Sequence, residues 1–259
     1  MALPTLHLVR DRTGEPALDT AVARSLLLRV AAGELPETFR LTVPGRIVAF
    51  GRQDQVRDGF TTAAAAAVDA GFVPIRRLAG GRAAVFHEGT LAFSWAVPDA
   101  RPAETIHPRF RALATVMVDA LRLLGVDARI GEVPGEYCPG TYSVNARGAR
   151  KLMGVGQRLT RTAAHVGGVL VAADAGLVVR ALEPVYAALG YEWDPDVTGA
   201  VADEVPGVGT ADVADAVVAA LGRRHRIVET ILDPDTVALA QTLATDHVVE
   251  IPGAEPTRR

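Results

Sequence analysis

Lysine, cysteine and asparagine each occur once in the 259-residue chain, at Lys151, Cys138 and Asn145, and all three fall within fourteen residues. Lysine and arginine together number 27, so arginine stands wherever a basic residue is needed except at one place. Surface lysines tolerate that exchange; a lysine used as a compact ammonium does not. Residues 136–158 are therefore read as the chemical centre. An ammonium aimed at an oxygen stabilises negative charge that develops there, and a thiol acts as a nucleophile through its thiolate.

A second segment with chemical potential runs Arg76-Arg77-Leu78-Ala79-Gly80-Gly81-Arg82-Ala83-Ala84-Val85-Phe86-His87. Adjacent glycines let backbone N–H groups approach a ligand closely. The neighbouring arginines can neutralise a carboxylate or phosphate. Each feature also has a plainer explanation. The glycine pair also suits a hairpin turn, Lys151 a snorkelling surface position, Cys138 a small buried filler and His87 a hydrogen-bonded strand end.

The elements that position these residues follow from periodicity. Leu6–Arg10 alternates as a short strand, and Pro16 to Gly33 reads as an amphipathic helix. Phe39–Val43 and Ile47–Gly51 read as strands joined at the turn dipeptide Pro44-Gly45. Thr61 or Thr62 caps a helix running to Ala70. Val73 to Val97 is β-rich, and Pro108–Leu124 is a long helix. Val126–Ile130 and Tyr142–Val171 read as successive strands, with Asn145 to Gly148 as a hairpin turn that puts Lys151 on the returning strand. Leu182–Leu189, Ala211–Leu221 and Thr236–Ala244 read as helices. Strands joined by tight turns between helices predict a mixed or antiparallel sheet with packed helices, an α+β fold. Residues 1–250 are read as one domain and 251–259 as a flexible tail.

Together the two motifs resemble the lipoate–protein ligase and octanoyltransferase superfamily, which is related to biotin–protein ligases. Arg76, Arg77, Gly80, Gly81, Arg82, Ala83 and His87 carry the first family pattern. Lys151, Leu152, Gly154, Gln157 and Arg158 carry the second, and His165 followed by Gly167 or Gly168 a later one. Gly51-Arg52-Gln53 and Leu18-Asp19 add weaker matches. The resemblance implies a mixed β-sheet with flanking helices, close to biotin ligases and class II aminoacyl-tRNA synthetases. It also implies transfer of an octanoyl or lipoyl group to a lysine of a lipoyl-domain protein or glycine-cleavage H protein, with an acyl carrier protein as another partner. Lys151 is expected to contact the acyl carbonyl or an adenylate phosphate. Arg76, Arg77, Gly80, Gly81, Arg82, Gly154, Gln157 and His165 are expected to bind substrate.

Two branches of that superfamily differ in mechanism. Ligases use ATP and Mg²⁺ to form an acyl-adenylate; one transferase type uses a cysteine upstream of the lysine and carries Gly-Gly-Arg-Ala. Cys138, Gly80-Gly81-Arg82-Ala83 and the Pro139…Tyr142-Ser143 neighbourhood favour the transferase, which needs no cofactor or metal. In that reading Cys138 is acylated, Lys151 favours its thiolate and His87 accepts its proton. Only helices are read after residue 200, so the further C-terminal domain of larger ligases is not expected. A reading of another class is a non-catalytic lipoyl- or biotinyl-binding module.

Composition bounds the rest. Apolar residues make up 49% and charged residues 22%, with a net charge of −3. No whole-molecule field draws the chain to nucleic acid or to an anionic membrane. One cysteine precludes an intrachain disulfide, and no apolar run is long enough for a membrane span. The first residues lack the pattern of a signal peptide, so a cytoplasmic location is expected.

Overall fold

The computed structural model describes residues 3–251. Nearly all of the segment read as a tail, residues 252–259, lies outside the described residues. In chain order the elements are β1 (Thr5–Val9), α1 (Pro16–Ala31), β2 (Thr38–Thr42), β3 (Ile47–Phe50), α2 (Arg52–Gln55), α3 (Phe60–Asp69), β4 (Val73–Arg76), β5 (Ala84–Phe86) and β6 (Thr90–Pro98). There follow α4 (Ile106–Leu123), β7 (Ala128–Ile130), β8 (Val144–Ala146), β9 (Arg150–Leu159), β10 (Ala163–Val171), α5 (Ala175–Leu189), α6 (Val201–Glu204), α7 (Thr210–Gly222), β11 (Arg226–Thr230) and α8 (Pro234–Leu243).

Eight strands form one sheet in the order β11-β1-β2-β6-β10-β9-β8-β7, and three form a second in the order β4-β3-β5. Pairings of β1 with β11 and β2, and of β3 with β4, are parallel; the others are antiparallel. The fold is thus α+β with a mixed sheet and flanking helices. Alternation assigns the faces of the large sheet. Phe39 and Leu41 of β2, and Leu91, Phe93 and Trp95 of β6, enter a core with α4 and α7. Each such side chain contributes about 1.5–3 kcal/mol when fully buried. The intervening Arg40, Thr42, Ala92 and Ser94 are small or polar, and they line a cavity on the opposite side. Helices α3 and α5 bury the small sheet in a separate core with Val48, Phe50 and Val85.

Three elements depart from expectation. Pro44-Gly45 does join two strands, but they are not sheet neighbours: β2 lies in the large sheet and β3 in the small one. The chain crosses between sheets there, and a turn dipeptide looks the same in either connection. Helix α3 starts after Gly59 with no side-chain cap, and Thr61 and Thr62 lie inside it. The region after residue 200 also contains a strand, β11, which pairs in parallel with β1. Its sequence, Arg-Ile-Val-Glu-Thr, carries a strand-like alternation interrupted by Val228, and it is only partly buried. No helix among the described residues is long and apolar enough to cross a membrane.

Candidate active site

The β8–β9 hairpin puts Lys151 on the returning strand. Positive φ is adopted by Arg147 and Gly148, while Asn145 lies in β8 and braces the turn. Its Oδ1 accepts the Gly148 N–H at 2.7 Å and its Nδ2 donates to the Gly131 carbonyl at 2.9 Å.

Lys151 is fully buried, and its ammonium makes three hydrogen bonds. It donates to Glu136 Oε1 at 2.9 Å, the Tyr137 carbonyl at 2.8 Å and the Cys138 carbonyl at 2.9 Å. The nitrogen also lies 4.6 Å from the Tyr137 ring centre. An ammonium has three protons to give, so all are committed to the 136–138 loop. Glu136 is equally occupied. It also accepts the N–H groups of Val133 and Gly140 and, at 2.6 Å, the Ser143 hydroxyl. A buried carboxylate demands such partners. Gly154 flanks the lysine stem, where a Cβ would meet Cε at 3.5 Å.

This clamp presents Cys138 to the glycine loop. Cys138 has φ of +43°, a left-handed conformation that costs a non-glycine residue about 1–2 kcal/mol. Its N–H donates to the Tyr186 hydroxyl at 3.1 Å, and that hydroxyl donates to the Ala83 carbonyl at 2.9 Å. Tyr186 thereby ties the cysteine loop to the glycine loop. The half-buried thiol sulfur accepts the Arg82 N–H at 3.2 Å and lies 4.0 Å from Arg77 Nη1.

The glycine loop can lie this close because neighbours lack side chains. A Cβ on Gly156 of β9 would stand 2.8 Å from the Gly80 carbonyl oxygen. Gly81 has φ of +116°, and a Cβ there would stand 3.0 Å from Cys138 Sγ. Arg77 Nη1 braces the loop by donating to the Arg82 carbonyl at 2.8 Å. The Arg82 guanidinium packs over the Tyr191 ring at 4.5 Å, and Arg57 lies over the same ring at 4.1 Å. The Tyr191 hydroxyl donates to Asp54 at 2.8 Å. Burial raises the Asp54 carboxyl above the usual range, against these hydrogen bonds and the nearby arginines.

Arg77 also lines a cavity of about 120 Å³ between the two sheets and α1. Ile47, Ala49, Ile75 and Phe86 supply its apolar wall, and Ala92, Ser94, His165 and Gly167 face them from the large sheet. His165 Nδ1 lies 3.1 Å from the Ser94 hydroxyl. Burial, aided by the Arg77 charge, holds this imidazole down to about 4, so it is neutral near pH 7.

The structure brings together Cys138, Arg77, Gly80, Gly81 and Arg82, with Lys151 behind them and His165 across the cavity. Three expected residues lie elsewhere. His87 does not meet Cys138. It follows β5, where its Nδ1 accepts the Gly89 N–H at 3.0 Å, and four residues, three of them in β5, separate it from Arg82. Burial lowers its proton affinity, opposed by Asp174 and Glu88. Arg76 points to the other side of β4 from Ile75 and Arg77. Its carbonyl accepts the His247 Nδ1–H at 2.8 Å, and its charge helps, after Arg24, to depress the Asp246 carboxyl. Gln157 is spent on α4, accepting from Arg109 Nε at 3.1 Å and donating to the Ile106 carbonyl at 2.7 Å.

The sequence reading missed Glu136, Tyr186 and the Asp54–Tyr191 pair. A solitary lysine destined for burial needs a buried acid, and Glu136, two residues before the only cysteine, was a signal for it. Tyr186 sits on α5 with no local pattern to mark it.

Comparison with known proteins gives a consistent picture. Residues 15–221 match the family described as the lipoyl protein ligase A/B catalytic domain. The octanoyl-[GcvH]:protein N-octanoyltransferase of Anoxybacillus flavithermus is 33% identical over 155 residues, covering 60% of this chain and 52% of that protein. The lipoyl-[GcvH]:protein N-lipoyltransferase of Listeria monocytogenes is 29% identical over 154 residues, covering 60% and 54%. The chain thus spans about half the length of the curated relatives it matches. Among solved structures, a bi-partite lipoate protein ligase of Thermoplasma acidophilum superposes with a TM-score of 0.72 at 18% identity, covering 94% of this chain and 92% of that one. That likeness shows a shared fold.

Proposed function

The chain belongs to the lipoyl protein ligase A/B catalytic-domain family, and on that premise we propose that it is an acyltransferase of lipoate metabolism. It moves an octanoyl or lipoyl group through a thioester on Cys138 to a lysine of a lipoyl-domain or glycine-cleavage H protein. The observation that carries this reading is the contact of Cys138 Sγ with the Arg82 N–H at the Gly80-Gly81 loop. A cysteine serving as core filler needs neither a strained backbone nor an N–H aimed at its sulfur.

The sulfur attacks the carbonyl carbon of an acyl thioester, and the donor thiol leaves. The acyl chain lies in the apolar cavity, where each buried CH₂ is worth about 0.8 kcal/mol. The acceptor ε-amine then attacks the Cys138 thioester, forming the amide and returning the thiol. The Lys151–Glu136 pair holds the loop that carries the nucleophile. The acyl group is substrate here, and the transferase cycle draws on neither nucleotide nor metal.

Intact mass tests this directly. Incubation with an octanoyl thioester of a carrier protein should add one octanoyl group, removable by hydroxylamine and absent in Cys138→Ser. If Cys138→Ser instead modifies the acceptor at the native rate with ATP and free lipoate, the protein is a ligase and the cysteine is structural. A protein that binds the acyl group but never transfers it is a binding module.

A further inference from the structure

We propose that Arg77 is a second catalytic cation of this site, serving both the Cys138 sulfur and the carbonyl oxygen of the acyl group. The proposal deepens the transferase reading and rests on it for the acyl step. Its basis is a comparison of the basic groups around the thiol. Lys151 gives its three protons to the Glu136 carboxylate and to the Tyr137 and Cys138 carbonyl oxygens, and Glu136 neutralises its charge with neither side chain exposed. The Arg82 guanidinium is packed over Tyr191, and only its backbone N–H reaches Sγ. His87 bonds to Gly89 and its charged neighbours lie around Asp174 and Arg46.

Arg77 differs on each point. Its Nη1 lies 4.0 Å from Cys138 Sγ, and it makes no ion pair within 4 Å among the described residues, although its charge also acts on the Asp54 carboxyl. It lines the acyl cavity, and its charge reaches His165 across that cavity. It is therefore shared by the nucleophile and the acyl chamber. A guanidinium can serve both because it has five N–H donors in a plane. One Nη1–H goes to the Arg82 carbonyl at 2.8 Å, which fixes the plane beside the sulfur.

The chemical step balances without any added reagent. The sulfur anion bonds to the thioester carbon, and the carbonyl electron pair moves onto oxygen beside Arg77. As the carbonyl re-forms, the donor C–S bond breaks and the donor thiol departs with the proton lost by Cys138. A fixed cation stabilises both the sulfur anion and the oxyanion.

The single cysteine permits a clean test with two alkylating reagents of nearly equal size, anionic iodoacetate and neutral iodoacetamide. A cation beside the sulfur accelerates the first relative to the second, by roughly tenfold at this separation. The rate ratio should therefore be about tenfold higher for the folded chain than for the chain in urea. Arg77→Gln should reduce it to the unfolded value, and Arg77→Lys should keep most of it. A brace that only holds the loop would leave the ratio alone. An unchanged ratio in folded Arg77→Gln overturns the assignment. If that variant fails to fold, equal ratios for folded and urea-treated wild type overturn it instead. Mass analysis of wild type with an octanoyl thioester is run in parallel. Absence of acylation there sinks the transferase reading, while the alkylation ratio still decides the role of Arg77 toward sulfur.

Discussion

The Lys151 ammonium and the Glu136 carboxylate meet at 2.9 Å with neither side chain exposed. Between them they gather the loop from Val133 to Ser143, so their union is structural before it is chemical. Lys151→Met leaves Glu136 buried without its counter-charge, a loss of about 3–5 kcal/mol. The double variant with Glu136→Gln should recover part of that loss. Arginine, which is larger and has a different donor geometry, should also destabilise at position 151. Denaturant melts of the four proteins decide this; a Lys151→Arg chain of native stability would contradict it.

Adjacent glycines should respond differently to the same change. A Cβ on Gly80 meets nothing within 4 Å, so Gly80→Ala should leave stability unaltered and Gly80→Val should obstruct only the approach of the acyl donor. Gly81 has φ of +116° and would press a Cβ to 2.9 Å from Arg77 Nη1. Gly81→Ala should cost about 1–2 kcal/mol and displace the thiol. Thermal melts with acylation rates would show whether the two variants separate in this way.

Gln157 should prove to be an anchor. Gln157→Leu strips partners from Arg109 Nε and the Ile106 carbonyl, a loss of about 1–3 kcal/mol. The apparent KM for the acyl donor should stay within a factor of about two, since no bond of this amide faces the cavity. A large KM effect at native stability would restore it to the substrate site.

Acid should weaken the fold in a window set by His165. Its imidazole is held to about 4, first by burial and then by the Arg77 charge, while an unfolded chain protonates it near 6.5. Between those values the unfolded chain binds the extra proton. Stability is therefore full above pH 6.5 and falls as the pH drops toward 4. The stability lost across that window is on the order of 3 kcal/mol. His87 and His247, also lowered chiefly by burial, act in the same direction. His165→Gln should flatten the profile between pH 4 and 7; a profile parallel to that of wild type would show that other groups govern it.

Much of this architecture could be read before any coordinates. Helix α1, with its apolar stripe and Gly33 stop, and the β8–β9 hairpin were legible because local period and turn chemistry decide them. That the Cys138 loop and Gly80-Gly81 share one site was implied by the family resemblance alone, since the contact spans 56 residues. What was illegible depends on direction and distance. Arg76 and Arg77 are equivalent as letters, but a strand sends them to opposite sides, and only Arg77 faces the cavity. His87 follows the glycine loop in sequence, yet an intervening strand carries it away. Gln157 lies on the same strand as Gly156, and alternation turns it toward α4. Strand β11 was illegible because the strand it pairs with, β1, lies more than two hundred residues earlier.

The burial of Lys151 has a further effect on the bench and in the cell. An enzyme that forms activated acyl esters of sulfur works beside its own side chains, and any exposed ε-amine would be a rival acceptor. This chain displays none: its one lysine is fully buried and gives all three protons to the 136–138 loop. The surface is furnished with guanidinium groups, which stay protonated and make poor nucleophiles. In the proposed transferase, acylation of the enzyme's own lysine is thus suppressed by composition, and amine-directed crosslinkers or dyes will find no lysine to seize on the folded surface.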